Sequence, residues 1–398
     1  MTTQRKLEAP HRRLEPGSRL LERGVVLGYR LAAWVVAHVP MAIPRFLIAR
    51  GAQVSYLLWP SKRRFSNANF AHVLGLPPSD RRVRWAAMAA YGEYARYVTE
   101  MMRLPHLPAE RAAALIPGVD LDVVEPAWRR AKGGLIFTLG HIGNPEAIGA
   151  AIAGRGWPTN VLADDSSFPE LFDLFRQTRE RWGVHVIPWR NLREIFAVLR
   201  KREMLGLLID WGYREDGIPV RLFDAWTTLP AGPASLAAKT GSAIQPVAIR
   251  RNRDGRTFHV EPFEAFEVPS SAPADLLAAT QRIADCLQRS IAAAPEQWYS
   301  FKPMWPSTEA EAAALERRAA EMAADTRAGA EQGAAARAGR GGNGSGPAGA
   351  GDETAATVAT LVGTESALAG AEAATVALQE TPTDAGAGSI EPGAPTPA

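Results

Sequence analysis

Six short runs of strand character, most of them separated by helical periodicity, dominate the middle of the chain. Residues 135–139 form a nearly unbroken apolar run of the kind that fills a strand buried on both faces. Asn144 follows as a helix N-cap, Pro145 stands at the first helical position, and residues 147–152 continue as an apolar helix. The same alternation recurs downstream: strands at 160–163, 184–188, 204–209, 243–250 and 257–262, and helices at 170–182, 191–201, 235–240 and 276–292. Strands alternating with helices predict an α/β fold, a central, largely parallel sheet flanked by helices.

The pattern differs at both ends. Residues 1–17 read as a polar, disordered leader. Residues 18–60 are apolar with interspersed Arg19, Arg23, Arg30, Arg45 and Arg50, and carry Tyr29, Trp34, Phe46, Tyr56 and Trp59. The longest charge-free stretch there, 31–44, is short for a membrane span and holds Pro40 and Pro44. The expectation for residues 18–64 is therefore a set of helices in a membrane interface, with Lys62, Arg63 and Arg64 at the headgroups. A helical hairpin packed on the domain satisfies the same pattern. Residues 67–74 and 82–102 are helical by spacing, and 65–306 is expected to be the main domain. Beyond residue 306 the chain turns rich in Ala, Gly, Thr and Glu. Thr308 and Glu311 suit a capping box for a helix over 307–338, and 339–398 reads as a flexible linker and disordered tail.

Composition adds two constraints. The single cysteine, Cys286, excludes an intramolecular disulfide, fits a reducing compartment, and reads as a buried thiol within a helix. Formal net charge is only +3, yet residues 1–64 hold twelve Lys/Arg against Glu8, Glu15 and Glu22. Long apolar runs interrupt that basic segment, which favours an anionic membrane surface over nucleic acid.

The chemistry concentrates after the first buried strand. His141 lies in the strand-to-helix loop and Glu146 in the first helical turn. An imidazole at a strand end can take a proton from a hydroxyl, and a carboxylate on its other ring nitrogen would fix the tautomer. Gly140 and Gly143 allow backbone to approach a substrate, and the helix start around Asn144 favours developing negative charge. An ordinary βα turn with a surface His and a dipole-placed Glu uses the same residues. A metal-dependent hydrolase built on His141, Glu146, His185 and Asp210 would need a compact ligand set, which the spacing does not give. The absence of a Gly-x-Ser-x-Gly elbow disfavours a serine hydrolase. A non-catalytic membrane-binding scaffold is a further alternative.

The segment Leu139-Gly140-His141-Ile142-Gly143-Asn144-Pro145-Glu146 resembles the signature of the bacterial late acyltransferases of lipid A biosynthesis, including their phosphatidylinositol mannoside-acylating relatives. The likeness continues through Val186-Ile187-Pro188-Trp189-Arg190-Asn191-Leu192-Arg193-Glu194, Leu207-Leu208-Ile209-Asp210, Pro230-Ala231-Gly232-Pro233 and Ile244-Gln245-Pro246-Val247-Ala248-Ile249-Arg250. It closes at Ala294-Pro295-Glu296-Gln297-Trp298 and covers about residues 20–306 in order. The resemblance implies transfer of a fatty acyl group from acyl-CoA or acyl-acyl carrier protein, as co-substrate, to a glycolipid hydroxyl. No metal and no resident cofactor are implied. His141 would be the base and Glu146 its orienting partner. Arg179 and Arg250 would hold phosphate or the thioester, and Asp210, Gly143 and Asn144 would line the substrate site. The implied location is the cytoplasmic face of the cell membrane, peripheral or monotopic. Family members commonly carry tryptophan where Pro145 stands and a second acidic residue where Gly212 stands.

Overall fold

The computed structural model of the chain describes residues 16–117, 123–163 and 169–339. The expected leader up to residue 15, and the expected linker and tail from residue 340, lie outside the described residues. Four helices lead the chain: α1 (Pro16–His38), α2 (Ala42–Leu58), α3 (Pro60–Leu74) and α4 (Arg81–Arg103). Their breaks follow local chemistry. Pro40 and Pro44 bracket the α1–α2 corner, Pro60 opens α3, and Asp80 caps α4 by accepting from the Arg82 amide at 2.8 Å. One face of α4 is buried, including Ala86, Ala90, Tyr94 and Met101, and α1, α2 and α3 all pack on this helix.

After the short helices α5 (Ala109–Ala113) and α6 (Glu125–Arg130), the β/α series begins. It runs β1 (Leu135–Leu139), α7 (Pro145–Ala153), β2 (Thr159–Ala163), α8 (Pro169–Glu180), β3 (Val184–Pro188), α9 (Leu192–Arg200) and β4 (Met204–Leu208). The hairpin β5 (Ile218–Leu222) and β6 (Ala225–Leu229) follows, then α10 (Gly232–Thr240), β7 (Ala243–Arg251), β8 (Phe258–Pro262), α11 (Pro273–Ala293) and α12 (Glu309–Gly339). Six strands form one sheet in the order β3-β2-β4-β1-β7-β8, parallel throughout except for β8. The α/β expectation is thus met, and the predicted strands fall within a residue or two of those observed. The hairpin β5–β6 is an addition.

Strand β1 lies at the centre of the sheet. Ile136 contributes to the apolar core on one face, and Leu135, Phe137 and Leu139 to the core on the other. A strand covered on both faces has no reason to alternate polar and apolar residues, which is why it reads as a continuous run. From β1 the chain first builds β2, β3 and β4 on one side, then crosses through α10 to β7 on the other. Such reversals leave a crevice beyond the carboxyl ends of the strands, where α/β proteins place ligands.

The segment after α11 closes over that end. Ile142 and Trp298 form an antiparallel bridge, and the Tyr299 amide donates to the His141 carbonyl at 3.0 Å. Asn69 of α3 is buried and ties the same segment down, donating to the Lys302 carbonyl (2.8 Å) and accepting from the Met304 amide (3.0 Å). Thr308 and Glu311 exchange the two bonds of the expected capping box at the start of α12. Cys286 is buried in α11, as expected of a structural thiol, and burial pushes its pKa up. Among the described residues, no helix is long and apolar enough to cross a membrane.

Candidate active site

Strand register brings two candidate site residues together. Strands β1 and β4 pair in parallel with Leu139 opposite Leu208, so His141 and Asp210, each two residues further on, emerge side by side. Asp210 Oδ1 lies 2.6 Å from His141 Nδ1, while Oδ2 accepts from the His141 backbone amide at 2.8 Å and from Trp298 Nε1 at 2.8 Å. Burial opposes the charge on Asp210. The His141 ring, these hydrogen bonds and the Trp298 indole outweigh it, and hold the carboxyl below the usual range. An ionised Asp210 on Nδ1 fixes the tautomer in which Nε2 carries the lone pair. His141 Nε2 is buried and meets no hydrogen-bond partner among the described residues. The ring stacks on Trp211 at 5.9 Å between centroids, and Lys302 Nζ lies 4.0 Å from the centroid of that indole.

Glu146 is placed differently from the expectation. Nδ1 of His141 is already taken by Asp210, and the Glu146 carboxylate pairs with Arg179 of α8, with Nη2 at 2.5 Å and Nε at 2.9 Å. The reason lies in packing: Glu146 and Arg179 are both buried, and a buried carboxylate without a partner would be costly, so the nearest guanidinium takes it. Burial alone would lower the Arg179 pKa, but the carboxylate raises it. The residue that steers His141 is therefore Asp210, expected only to line the cleft, and Glu146 joins α7 to α8.

The loop between them is held from several sides. Gly143 adopts φ +64°, and a Cβ there would come 3.1 Å from the Ile249 carbonyl of β7, so both conformation and space call for glycine. Asn144 caps α7 by accepting from the Ala147 amide at 3.1 Å, and its Nδ2 donates to Glu100 of α4 at 3.0 Å. Glu100 in turn accepts from Arg251 (2.5 and 3.1 Å) and faces Arg45 of α2 at 3.0 Å; Arg251 also donates to Glu93 at 3.0 Å. Arg250, the expected arginine, is half-exposed and lies 3.5 Å from Glu261 of β8. Successive residues of a strand face opposite ways, so its neighbour Arg251 turns inward. Parity with the buried Val247 and Ile249 marks Arg251, and the seven-residue spacing of Glu93 and Glu100 marks one helix face, signals that the sequence reading did not use.

His185 does not join this constellation; it pairs at the surface with Glu194 at 2.8 Å. Among the described residues, no three His, Cys, Asp or Glu side chains cluster as metal ligands. A cleft of about 440 Å³ reaches the loop at Asn144, bounded by the α1–α2 corner, the end of α4 and the β7–β8 turn; His141 is not among its lining residues.

Comparison with known proteins shows what the chain is similar to. Residues 14–307 fit the family described as bacterial lipid A biosynthesis acyltransferase. A phosphatidylinositol mannoside acyltransferase of Mycolicibacterium smegmatis is 29% identical over 301 residues, covering 74% of this chain and 94% of the relative. Its namesake in Mycobacterium tuberculosis is 30% identical over 260 residues, covering 63% and 79%. With the fold, the ordered motifs and this span in agreement, the chain belongs to the bacterial lipid A biosynthesis acyltransferase family and is an acyltransferase.

Proposed function

We propose that this enzyme transfers a fatty acyl group from an acyl thioester, either acyl-CoA or acyl-acyl carrier protein, to a hydroxyl of a glycolipid at the membrane surface, with His141 as the base. The observation that carries the reading is the 2.6 Å contact of Asp210 with Nδ1, which leaves Nε2 as the unpartnered nitrogen of a buried imidazole. The mycobacterial relatives, phosphatidylinositol mannoside acyltransferases by name, point to an acceptor of that kind.

The steps balance without a covalent enzyme intermediate. Nε2 takes the proton as the acceptor oxygen attacks the thioester carbonyl, and Asp210 stabilises the resulting imidazolium. The tetrahedral oxyanion collapses, the carbon–sulfur bond breaks, and the imidazolium returns its proton to the departing thiolate. The positive end of α7 opens toward the same loop and favours the oxyanion. Glu146 acts through Arg179 as a positioning residue that fixes α7. Trp211 stacks on the imidazole and forms one wall beside it.

Membrane contact is assigned to the outer side of α1 and α2. Leu31, Trp34, Ile43, Phe46, Leu47 and Leu58 are all exposed there, a concentration of large apolar side chains that a water-facing surface rarely carries.

The test of the chemistry is His141→Ala with radiolabelled acyl-CoA or acyl-carrier protein and phosphatidylinositol mannoside in vesicles. Transfer is expected to fall by at least ~10³-fold, in line with the loss of a general base that works with an oriented partner. Transfer at the parent rate overturns the assignment, and the better of the two donors identifies the carrier.

A further inference from the structure

We infer that the cleft beside Asn144 seats the phosphate-bearing end of the acceptor lipid, on Arg103 and Arg256. The inference rests on the acyltransferase reading above for the word acceptor, but not for the binding itself. At about 440 Å³ the cleft has the size of a small-molecule site. Leu104, Leu107, Leu115 and Phe258 supply an apolar wall.

Its charges are unequally satisfied. Glu100 is neutralised by Arg251 and Arg45, and Arg45 also donates to the Gly255 carbonyl. Among the described residues Arg103 bonds to two carbonyls at and just past the end of α1, those of Val36 (3.2 Å) and Val39 (3.4 Å), both through one of its three nitrogens. Arg256 is exposed; Asp254 accepts from its backbone amide at 2.8 Å and is held low by hydrogen bonds and in part by the arginine's charge, yet among the described residues no carboxylate forms an ion pair within 4.0 Å with either guanidinium. Two guanidinium forks engaged in no close ion pair among the described residues, above an apolar wall, complement an amphiphile with a phosphodiester. Arg179 and Arg250 are less suited to that task, the first being buried on Glu146 and the second paired to Glu261.

The cleft's position selects the acceptor over the donor. Pro40 and Ala42 form its rim and are exposed at the α1–α2 corner, directly before Ile43, Phe46 and Leu47 of the apolar face. A lipid reaches this rim from the bilayer without its chains crossing water, whereas a water-soluble thioester gains nothing from that route. Asn144, at the inner end, stands three residues from His141.

Binding of dioctanoyl-phosphatidylinositol below its micellar concentration, measured by calorimetry on the full chain without any thioester, tests this apart from turnover. Arg256→Ala is expected to weaken binding roughly tenfold, about the loss of one charge-assisted hydrogen-bonded contact. Arg103→Gln should add a comparable loss, and Arg103→Lys should restore most of it. Dioctanoylglycerol, which lacks the phosphate, is expected to bind weakly and equally to parent and variants. Unchanged phosphatidylinositol affinity in Arg256→Ala overturns the inference, as does a parallel loss for dioctanoylglycerol. Displacement by millimolar inorganic phosphate would make the cleft a plain anion site and overturn it too. In turnover, the variants should raise the acceptor KM; a raised acyl-CoA KM instead would assign the cleft to the donor. His141→Ala bears only on the catalytic reading, so the two fail separately.

Discussion

Asp210 receives hydrogen bonds from a ring nitrogen, a backbone amide and an indole, and each is lost or weakened when the carboxyl is protonated. Asp210→Asn preserves the shape but removes the charge and allows the wrong tautomer; kcat is expected to drop by about 10³–10⁴, with acceptor KM little changed. A stability consequence follows from the lowered pKa. With the folded value below the unfolded one, Asp210 stabilises the fold above the ordinary carboxylate range, about 3.9, and that contribution disappears as pH falls through the folded value. Urea denaturation across pH should therefore show the parent's advantage over Asp210→Asn largest near neutrality and shrinking below pH ~4. A pH-independent difference would contradict this. His141 was legible in the sequence because strand, glycine, histidine and N-cap are contiguous. Its partner was not, because only the pairing of β1 with β4 shows that position 210 stands beside position 141.

Helix α7 is clamped at its start by Asn144 and on one flank by the buried Glu146–Arg179 pair. Removing one member leaves the other buried and alone, so Glu146→Ala is expected to cost ~3–5 kcal/mol of stability. The double change Glu146→Leu with Arg179→Met should recover much of it. Recovery of transfer alongside stability would identify the pair as positional; stability without transfer would assign it a charge-dependent part in the chemistry. At this scale the sequence was readable where one signal dominated. The runs at β1, β3 and β4 are almost wholly apolar, and Asn144-Pro145 marks the start of α7. The β5–β6 hairpin was missed because its two-residue turn is Phe223-Asp224, both at positive φ (49° and 60°), where Asn-Gly is the usual signal.

Across the whole molecule, exposed apolar side chains gather on α1 and α2, with Lys62, Arg63 and Arg64 following at the start of α3. The joint substitution Trp34→Glu and Phe46→Glu lies on exposed positions (60% and 58%) and should leave the fold intact. It is expected to abolish co-flotation with anionic liposomes, whereas parent protein floats; each basic residue near the surface adds about 1 kcal/mol, so raised salt should weaken binding of the parent. Unaltered flotation of the double variant would remove α1 and α2 as the contact. The basic, apolar character of residues 18–64 announced this segment. The sequence did not reveal that Arg45 points inward to Glu100 and thereby links α2 to the loop that carries His141.

The last strap to cross the crevice, from Gln297 to Met304, donates the indole that completes the Asp210 shell and is itself anchored to Asn69, more than 230 positions earlier in the chain. A nascent polypeptide still lacking this strap on the ribosome would carry His141 and Asp210 side by side but without the Trp298 indole on the carboxylate. Acyl transfer should therefore switch on only once synthesis has passed residue 304, so that truncated products cannot consume acyl donor before they are finished.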